Sequence, residues 1–122
     1  MTQDRRRLGQ RGEQLAAERL AGLGYEIVER NYRCPAGELD LVARFADRWV
    51  FVEVRTRRGD RFGTPEESVT PRKRAHLIAS AQHYLQAHGA LEMDWRIDAV
   101  AIVLSRAGRV ERIDVIENAV TG

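Results

Sequence analysis

The fold is decided by residues 38–54, which read ELDLVARFADRWVFVEV. Residues 38–45 alternate between apolar and polar side chains and 49–54 form a nearly continuous apolar run, so this stretch predicts two β-strands. Only residues 46–48 separate the two runs, and such a short connection predicts a hairpin. Glu53 interrupts the second run, and its ionised carboxylate would be costly there without a partner, a metal ion or a cleft.

The length of the turn decides which residue faces Glu53. A two-residue loop at positions 46 and 47 would place Asp40 directly opposite Glu53, and Glu38 opposite Arg55. A loop two residues longer would slide Arg55 opposite Asp40, and an odd change in length would put the acids on different faces. With the two-residue loop, two carboxylates meet across the strand pair.

A helix is predicted on each side of these strands. The first follows the helical spacing of apolar residues from Leu8 to Leu23 and ends at Gly24. The second covers 71–88, begins after Thr70 and ends at Gly89. Three further strands are predicted, at 25–33, 94–105 and 109–118. The chain of 122 residues is therefore expected to form a single α/β domain, 1–122, with a mixed sheet flanked by helices in the order αβββαββ.

Composition excludes several classes of protein. Cys34 is the only cysteine, so no internal disulfide can form, and three histidines at unsuitable spacing exclude a structural zinc site. No apolar run is long enough to cross a membrane, and the N-terminal MTQDRRRLGQ lacks the apolar core of a signal peptide. We therefore expect a cytoplasmic protein without a membrane partner.

Basic charge is concentrated after the hairpin. The whole chain carries a net charge of +2, whereas residues 55–74 contain seven basic and three acidic side chains, a net charge of +4. The segment includes a long loop predicted at 56–70, and it can contact phosphates in a salt-sensitive, largely sequence-independent way. The predicted substrate-binding residues are Arg57, Arg58, Arg72, Lys73 and Arg74.

Opposed carboxylates at positions 40 and 53 repel each other and require a cation. Mg²⁺, or Mn²⁺ in its place, would fit because hard ions prefer oxygen ligands and leave positions for water and substrate phosphate. Asp40 and Glu53 are then metal ligands, and hydrolysis of a phosphodiester is the chemistry that follows. The alternative is that the two acids form ordinary ion pairs with Arg44 or Arg55.

Several short motifs carry a resemblance to a known family. They are Gly12-Glu13, Asn31-Tyr32-Arg33, GELDL at 37–41, FVEVRTR at 51–57, Phe62-Gly63 and Pro71-Arg72-Lys73-Arg74. The chain resembles the YraN-like family of small uncharacterised bacterial proteins over nearly its whole length. That family looks like the restriction-endonuclease-like fold with its PD-(D/E)XK arrangement, and it is especially similar to archaeal Holliday junction resolvases.

The resemblance implies roles for individual residues. Asp40 and Glu53 would be metal ligands, Glu13 a helix-borne acid reaching the same cluster, and Arg55 would stand where the nuclease pattern usually has lysine. Arginine stays protonated and cannot be a general base, although it can bind phosphate. Lys73 could supply the missing amine from the second helix, but a solvated lysine in a basic run is the more common case.

Three hypotheses about function remain open at this point. The first is a Mg²⁺- or Mn²⁺-dependent DNA endonuclease acting on branched or recombination intermediates, with a homodimer implied by the likeness to resolvases. The second is a non-catalytic nucleic-acid-binding protein that retains the nuclease fold. The third is a structural or partner-binding protein in which the acids form buried salt bridges.

Overall fold

The computed structural model describes residues 2–59 and 70–120, with side chains from residue 6 onward. Its elements are α1 Thr2–Gly22, β1 Glu26–Cys34, β2 Gly37–Phe45, β3 Arg48–Arg58, α2 Pro71–Ala87, β4 Trp95–Leu104 and β5 Val110–Ile116. The predicted order αβββαββ and the mixed α/β class are confirmed. In this part of the chain no helix has the length and apolar character needed to cross a membrane.

The loop predicted at 56–70 begins too early. Strand β3 continues to Arg58, because it pairs in parallel with β4 from Trp49↔Trp95 as far as Arg58↔Leu104. The polar composition of 55–58 conceals this extension, since the strand is held by ladder hydrogen bonds rather than by apolar side chains. Residues 60–69, where the rest of the predicted loop falls, lie outside the described residues.

The five strands form one sheet in the order β1-β2-β3-β4-β5. All neighbours are antiparallel except β3 and β4, which are joined by the segment containing α2. The β2–β3 hairpin closes at Phe45↔Arg48, and both loop residues are left-handed, Ala46 with φ 52° and Asp47 with φ 63°. This is the two-residue turn geometry that matches strand twist, so the predicted register is confirmed.

Each face of the sheet carries its own core, and strand alternation assigns the faces. Val50 and Val52 belong to the cluster that contains the α1 residues Ala16 and Leu20. Phe51 belongs to the other cluster, with Leu77, Ala81, Tyr84 and Leu85 of α2. Glu53 shares the parity of Phe51, so its carboxylate lies on the α2 face.

Helix α1 lies close against β3 at Gly12. A Cβ placed there would overlap Thr56 Oγ1 and lie 3.0 Å from Thr56 Cβ. We expect Gly12→Ala to lower the free energy of unfolding by about 1–3 kcal/mol, because helix and strand must separate.

Gly9→Ala in the same helix is the matched control for this contact. Nothing lies within 4 Å of a Cβ at Gly9. This variant is expected to gain up to about 1 kcal/mol from helix propensity alone. Urea denaturation of both variants measures the difference, and shifts of the same sign and size would contradict a close contact at Gly12.

Candidate active site

The β2–β3 ladder ends at Leu41↔Val52, one residue short of two acids. Beyond this pair, Asp40 Oδ2 accepts a hydrogen bond from the Val54 backbone N–H at 2.8 Å. The side chain thus takes the place of a ladder acceptor, and the Asp40 carboxyl group is also hydrogen-bonded to Glu53. The two acids therefore face each other, as the two-residue turn predicts.

Two cations hold the Glu53 carboxylate, which is only 6% exposed. Lys73 Nζ lies 2.9 Å from Glu53 Oε2, and Arg55 Nη2 lies 3.5 Å from the same oxygen. Lys73 is positioned by the start of α2, where its backbone N–H donates to the Thr70 hydroxyl at 3.2 Å. The interpretation of Lys73 as only a solvated lysine in a basic run is wrong, because the N-terminus of α2 directs this partly exposed side chain towards the acids.

The two acids share one proton at neutral pH. Burial, together with the hydrogen bond and negative charge of Glu53, raises the pKa of Asp40 to about 9. Burial opposes ionisation of Glu53 as well, but the hydrogen bond from Asp40 and the ammonium of Lys73 outweigh it and lower the Glu53 pKa. Asp40 therefore donates its proton to an ionised Glu53.

A cleft of about 440 Å³ opens between this end of the hairpin and the first turns of α2. It is lined by Gly37, Glu38, Asp40, Glu53, Val54, Arg55, Thr70, Arg72, Lys73, His76 and Leu77. His76 at this cleft does not follow from the sequence, because a lone exposed histidine on a helix gives no signal of the cleft it borders. The cleft brings both acids together with three of the predicted cations, Arg55, Arg72 and Lys73.

Glu13 is near the acids without lining the cleft. Its carboxylate is hydrogen-bonded to Asn31, whose φ of 55° is left-handed. Burial, reinforced by the charges of Glu38 and Glu53, raises the Glu13 pKa. Over residues 2–59 and 70–120, no three His, Cys, Asp or Glu side chains are grouped to hold a metal ion. Glu13 therefore acts on the pair through its charge in this arrangement.

The other predicted substrate-binding arginines are dispersed. Arg57 follows Arg55 on the same face of β3, whereas Arg58 points to the opposite face, where its guanidinium approaches Gly108. Arg74 is exposed on α2 and does not line the cleft. The geometry of the strand and the helix therefore divides the five predicted substrate-binding residues between the cleft and other surfaces.

The alternative with ordinary ion pairs is correct in part. Arg55 does pair with Glu53, but Arg44 is elsewhere, with its guanidinium carbon 4.7 Å from the centre of the Trp49 ring. Asp40 has no cation in the described salt bridges and is satisfied by a proton and a backbone N–H. An ordinary salt bridge does not explain why two acids are placed side by side.

Comparison with known proteins gives the family. The model of an uncharacterised protein family, UPF0102, matches residues 12–102, which include all of the acids and cations named above. The chain belongs to the UPF0102 family.

UPF0102 proteins of several bacteria are similar over most of their length. That of Moorella thermoacetica is 51% identical over 119 residues, covering 98% of this chain and 99% of the relative. That of Dehalococcoides mccartyi is 47% identical over 119 residues, covering 98% and 97%. That of Roseiflexus castenholzii is 53% identical over 103 residues, covering 84% and 83%.

Without metal, this UPF0102 protein is expected to lose stability as pH rises from about 5 to about 9. In the unfolded chain Asp40 ionises at its ordinary pKa of 3.8, whereas the folded protein keeps it protonated to about 9. The folded state then binds more protons, so the free energy of unfolding falls by up to about 1.4 kcal/mol per pH unit. The lowered pKa of Glu53 acts in the opposite sense, but its contribution is complete above the unfolded value of 4.5.

Urea unfolding in EDTA across this pH range measures the effect. The Asp40→Asn variant is the control, because its amide does not titrate and its profile should lose this slope. A wild-type midpoint that stays constant or rises over the same range would contradict a shared proton.

Proposed function

We propose that this UPF0102 protein is a metal-dependent endonuclease that hydrolyses phosphodiester bonds in DNA, including branched or recombination intermediates. The observation that carries the proposal is the pair Asp40 and Glu53, which face each other in an open cleft beside Lys73 and Arg55. The resemblance to PD-(D/E)XK nucleases gives independent support, because it assigns the metal to the same two acids.

The residues present fit a hard divalent cation. Mg²⁺ and Mn²⁺ are commonly held by one or two carboxylates, with waters and substrate oxygens completing the coordination. Asp40 and Glu53 supply those carboxylates. Besides burial, their closeness raises the pKa of Asp40, and a cation would relieve this effect. When bound, such an ion lowers the pKa of a water and offsets charge on the phosphate.

The surrounding side chains have separable roles. On binding of a metal ion, Asp40 would release its proton to solvent, and both carboxylates could then act as ligands. Lys73, whose side chain is 37% exposed, holds Glu53 and can reach a phosphate at the mouth of the cleft. Arg55 supplies a guanidinium for the phosphate, a group suited to binding phosphate oxygens rather than to acting as a base. Arg72 lines the same cleft and adds a phosphate contact.

Cleavage of a panel of linear, flap and four-way DNA with each divalent metal tests the proposal. Wild-type protein is expected to cleave at least one form with Mg²⁺ or Mn²⁺, and Glu53→Ala to abolish cleavage. Glu38→Ala is the matched control, because Glu38 lines the cleft but its ion pair is with Arg33, at 3.4 Å and exposed. Absence of cleavage of every DNA form by pure wild-type protein would overturn the proposal.

Lys73 is expected to contribute to the rate. Lys73→Met should lower kcat by about 10²-fold, the usual cost of removing one donor that stabilises developing charge. Lys73→Arg should retain more activity, and Arg74→Met, which removes a neighbouring exposed cation, should leave kcat within a few fold. An unchanged kcat in Lys73→Met would show that this lysine only shields Glu53.

A non-catalytic nucleic-acid-binding protein is the second candidate, and the arginine at position 55 favours it. That function predicts DNA binding that weakens with salt and is indifferent to Asp40→Ala and Glu53→Ala. A structural role predicts neither binding nor cleavage. The likeness to resolvases adds a homodimer, which sedimentation of the wild-type protein tests.

A further inference from the structure

A second group of cations lies away from the cleft, on the α1 side of the sheet. A Cβ placed on Gly108 would be 3.2 Å from Arg11 Nη1 and 3.7 Å from Arg58 Nη2. One arginine comes from α1 and the other from the end of β3, so two distant segments bring their guanidinium groups to the same glycine. We call Arg11, Arg58 and Arg106 the hairpin-side cluster.

The hydrogen-bonded β4–β5 turn lies beneath the side chains of this cluster. Ser105 N–H donates to Arg109 O at 2.8 Å, and Gly108 N–H donates to Ser105 O at 2.9 Å. Gly108 has φ +86° and is buried, so the lack of a side chain there serves both the turn and the approach of the arginines. Arg106 belongs to the same turn, with its Cγ 3.8 Å from a Cβ placed on Gly59.

The charges of the hairpin-side cluster are not neutralised by described acids. Arg96, by contrast, pairs with Asp98 at 2.9 Å. Among residues 2–59 and 70–120, no salt bridge joins a carboxylate to Arg11, Arg58 or Arg106, and all three side chains are exposed. The guanidinium groups of Arg11 and Arg58 meet at Gly108 and repel each other, so an anion would stabilise them.

We infer that the hairpin-side cluster is a second contact surface for the phosphate backbone of the DNA bound at the cleft, an inference that rests on the proposed function. Guanidinium groups suit phosphate oxygens, which they can bind with two parallel hydrogen bonds. Strand β3 carries both surfaces, with Glu53 on the α2 face and Arg58 on the α1 face. The backbone positions of Glu53 and Arg58 are five residues apart along the strand, about 16 Å. This distance is close to the rise of about five base pairs in a duplex.

DNA binding in EDTA tests the surface separately from cleavage. Fluorescence anisotropy with labelled duplex and four-way DNA compares wild type with Arg11→Gln/Arg58→Gln. The double variant is expected to bind about tenfold more weakly and to reduce the dependence of log affinity on log salt by about 1–2. Arg11→Lys/Arg58→Lys should retain most of the affinity, because it keeps the charge.

Arg19→Gln/Arg30→Gln removes the same charge from exposed positions outside the cluster and should bind within about twofold of wild type. If the Arg11/Arg58 double variant binds like wild type with the same salt dependence, the inference is overturned, and cleavage by wild-type protein would still uphold the proposed function. If the cluster governs binding but no DNA is cleaved, the inference holds and the endonuclease proposal fails. Equal losses of DNA affinity in both double glutamine variants would show that net charge alone causes the effect. That result would overturn the inference of a specific contact surface.

Discussion

Asp40→Asn is expected to abolish DNA cleavage while stabilising the metal-free protein. The amide has the hydrogen-bonding pattern of the protonated acid, since its oxygen can accept from Val54 N–H and its NH₂ can donate to Glu53. It cannot supply a second carboxylate, so we expect cleavage to fall by at least about 10²-fold. In the unfolded chain the wild-type acid gains by ionising and the amide does not, so stability at pH 8 should rise by up to several kcal/mol.

Two measurements on the same protein samples test whether Asp40→Asn lowers cleavage while it raises stability. Urea unfolding in EDTA at pH 8 gives stability, and single-turnover cleavage with Mn²⁺ gives activity. Addition of Mn²⁺ should raise the unfolding midpoint of wild type but not of Asp40→Asn. Asp114→Asn, at a half-exposed acid of β5 outside the cleft, is the matched control and should leave both quantities nearly unchanged. A destabilised Asp40→Asn would show that Asp40 is already ionised in the folded protein.

Asp98→Ala is expected to cause the largest loss of stability, about 3–5 kcal/mol. Asp98 is fully buried, and it accepts hydrogen bonds from Tyr25 Oη at 2.8 Å and from Asn118 N–H at 2.9 Å. Arg96 Nε lies 2.9 Å from Asp98 Oδ1. The substitution therefore leaves the largely buried guanidinium of Arg96 without its main partner. Urea denaturation measures the loss.

A double substitution separates the effect of the unpaired Arg96 charge from the effect of the cavity left by Asp98→Ala. Arg96→Met in the Asp98→Ala background should recover part of the stability, because the unpaired cation is removed. Asp114→Ala, which breaks the exposed pair with Arg112, should cost less than about 1 kcal/mol. A loss of that small size at Asp98 would contradict the structural importance of this network.

The sequence predicts the hairpin and its acids well, for local reasons. The apolar alternation of 38–54 fixes the faces, and the two-residue turn fixes the register, so the meeting of Asp40 and Glu53 follows from near neighbours in the chain. The extent of β3 does not follow from local pattern, because the polar residues after Val54 are kept extended by pairing with β4, about 45 residues further along.

The position of Lys73 beside Glu53 depends on how α2 packs against the sheet. That packing rests on side chains such as Tyr84 and Leu77 and cannot be deduced from the spacing of basic residues alone. Arg58 illustrates the converse, since alternation already separates it from Arg57 once β3 is known to continue. Its convergence with Arg11 at Gly108 requires the tertiary structure.

The tight turn at Ala46 and Asp47 determines from a distance which residues face each other in the cleft. It lies six residues from Glu53, about 20 Å along the strand, and touches nothing in the cleft. One inserted residue would shift the pairing by a single step and exchange inward and outward side chains along the hairpin. An engineered one-residue insertion at this turn should therefore separate Asp40 from Glu53 and remove the site, although the inserted residue lies far from both acids.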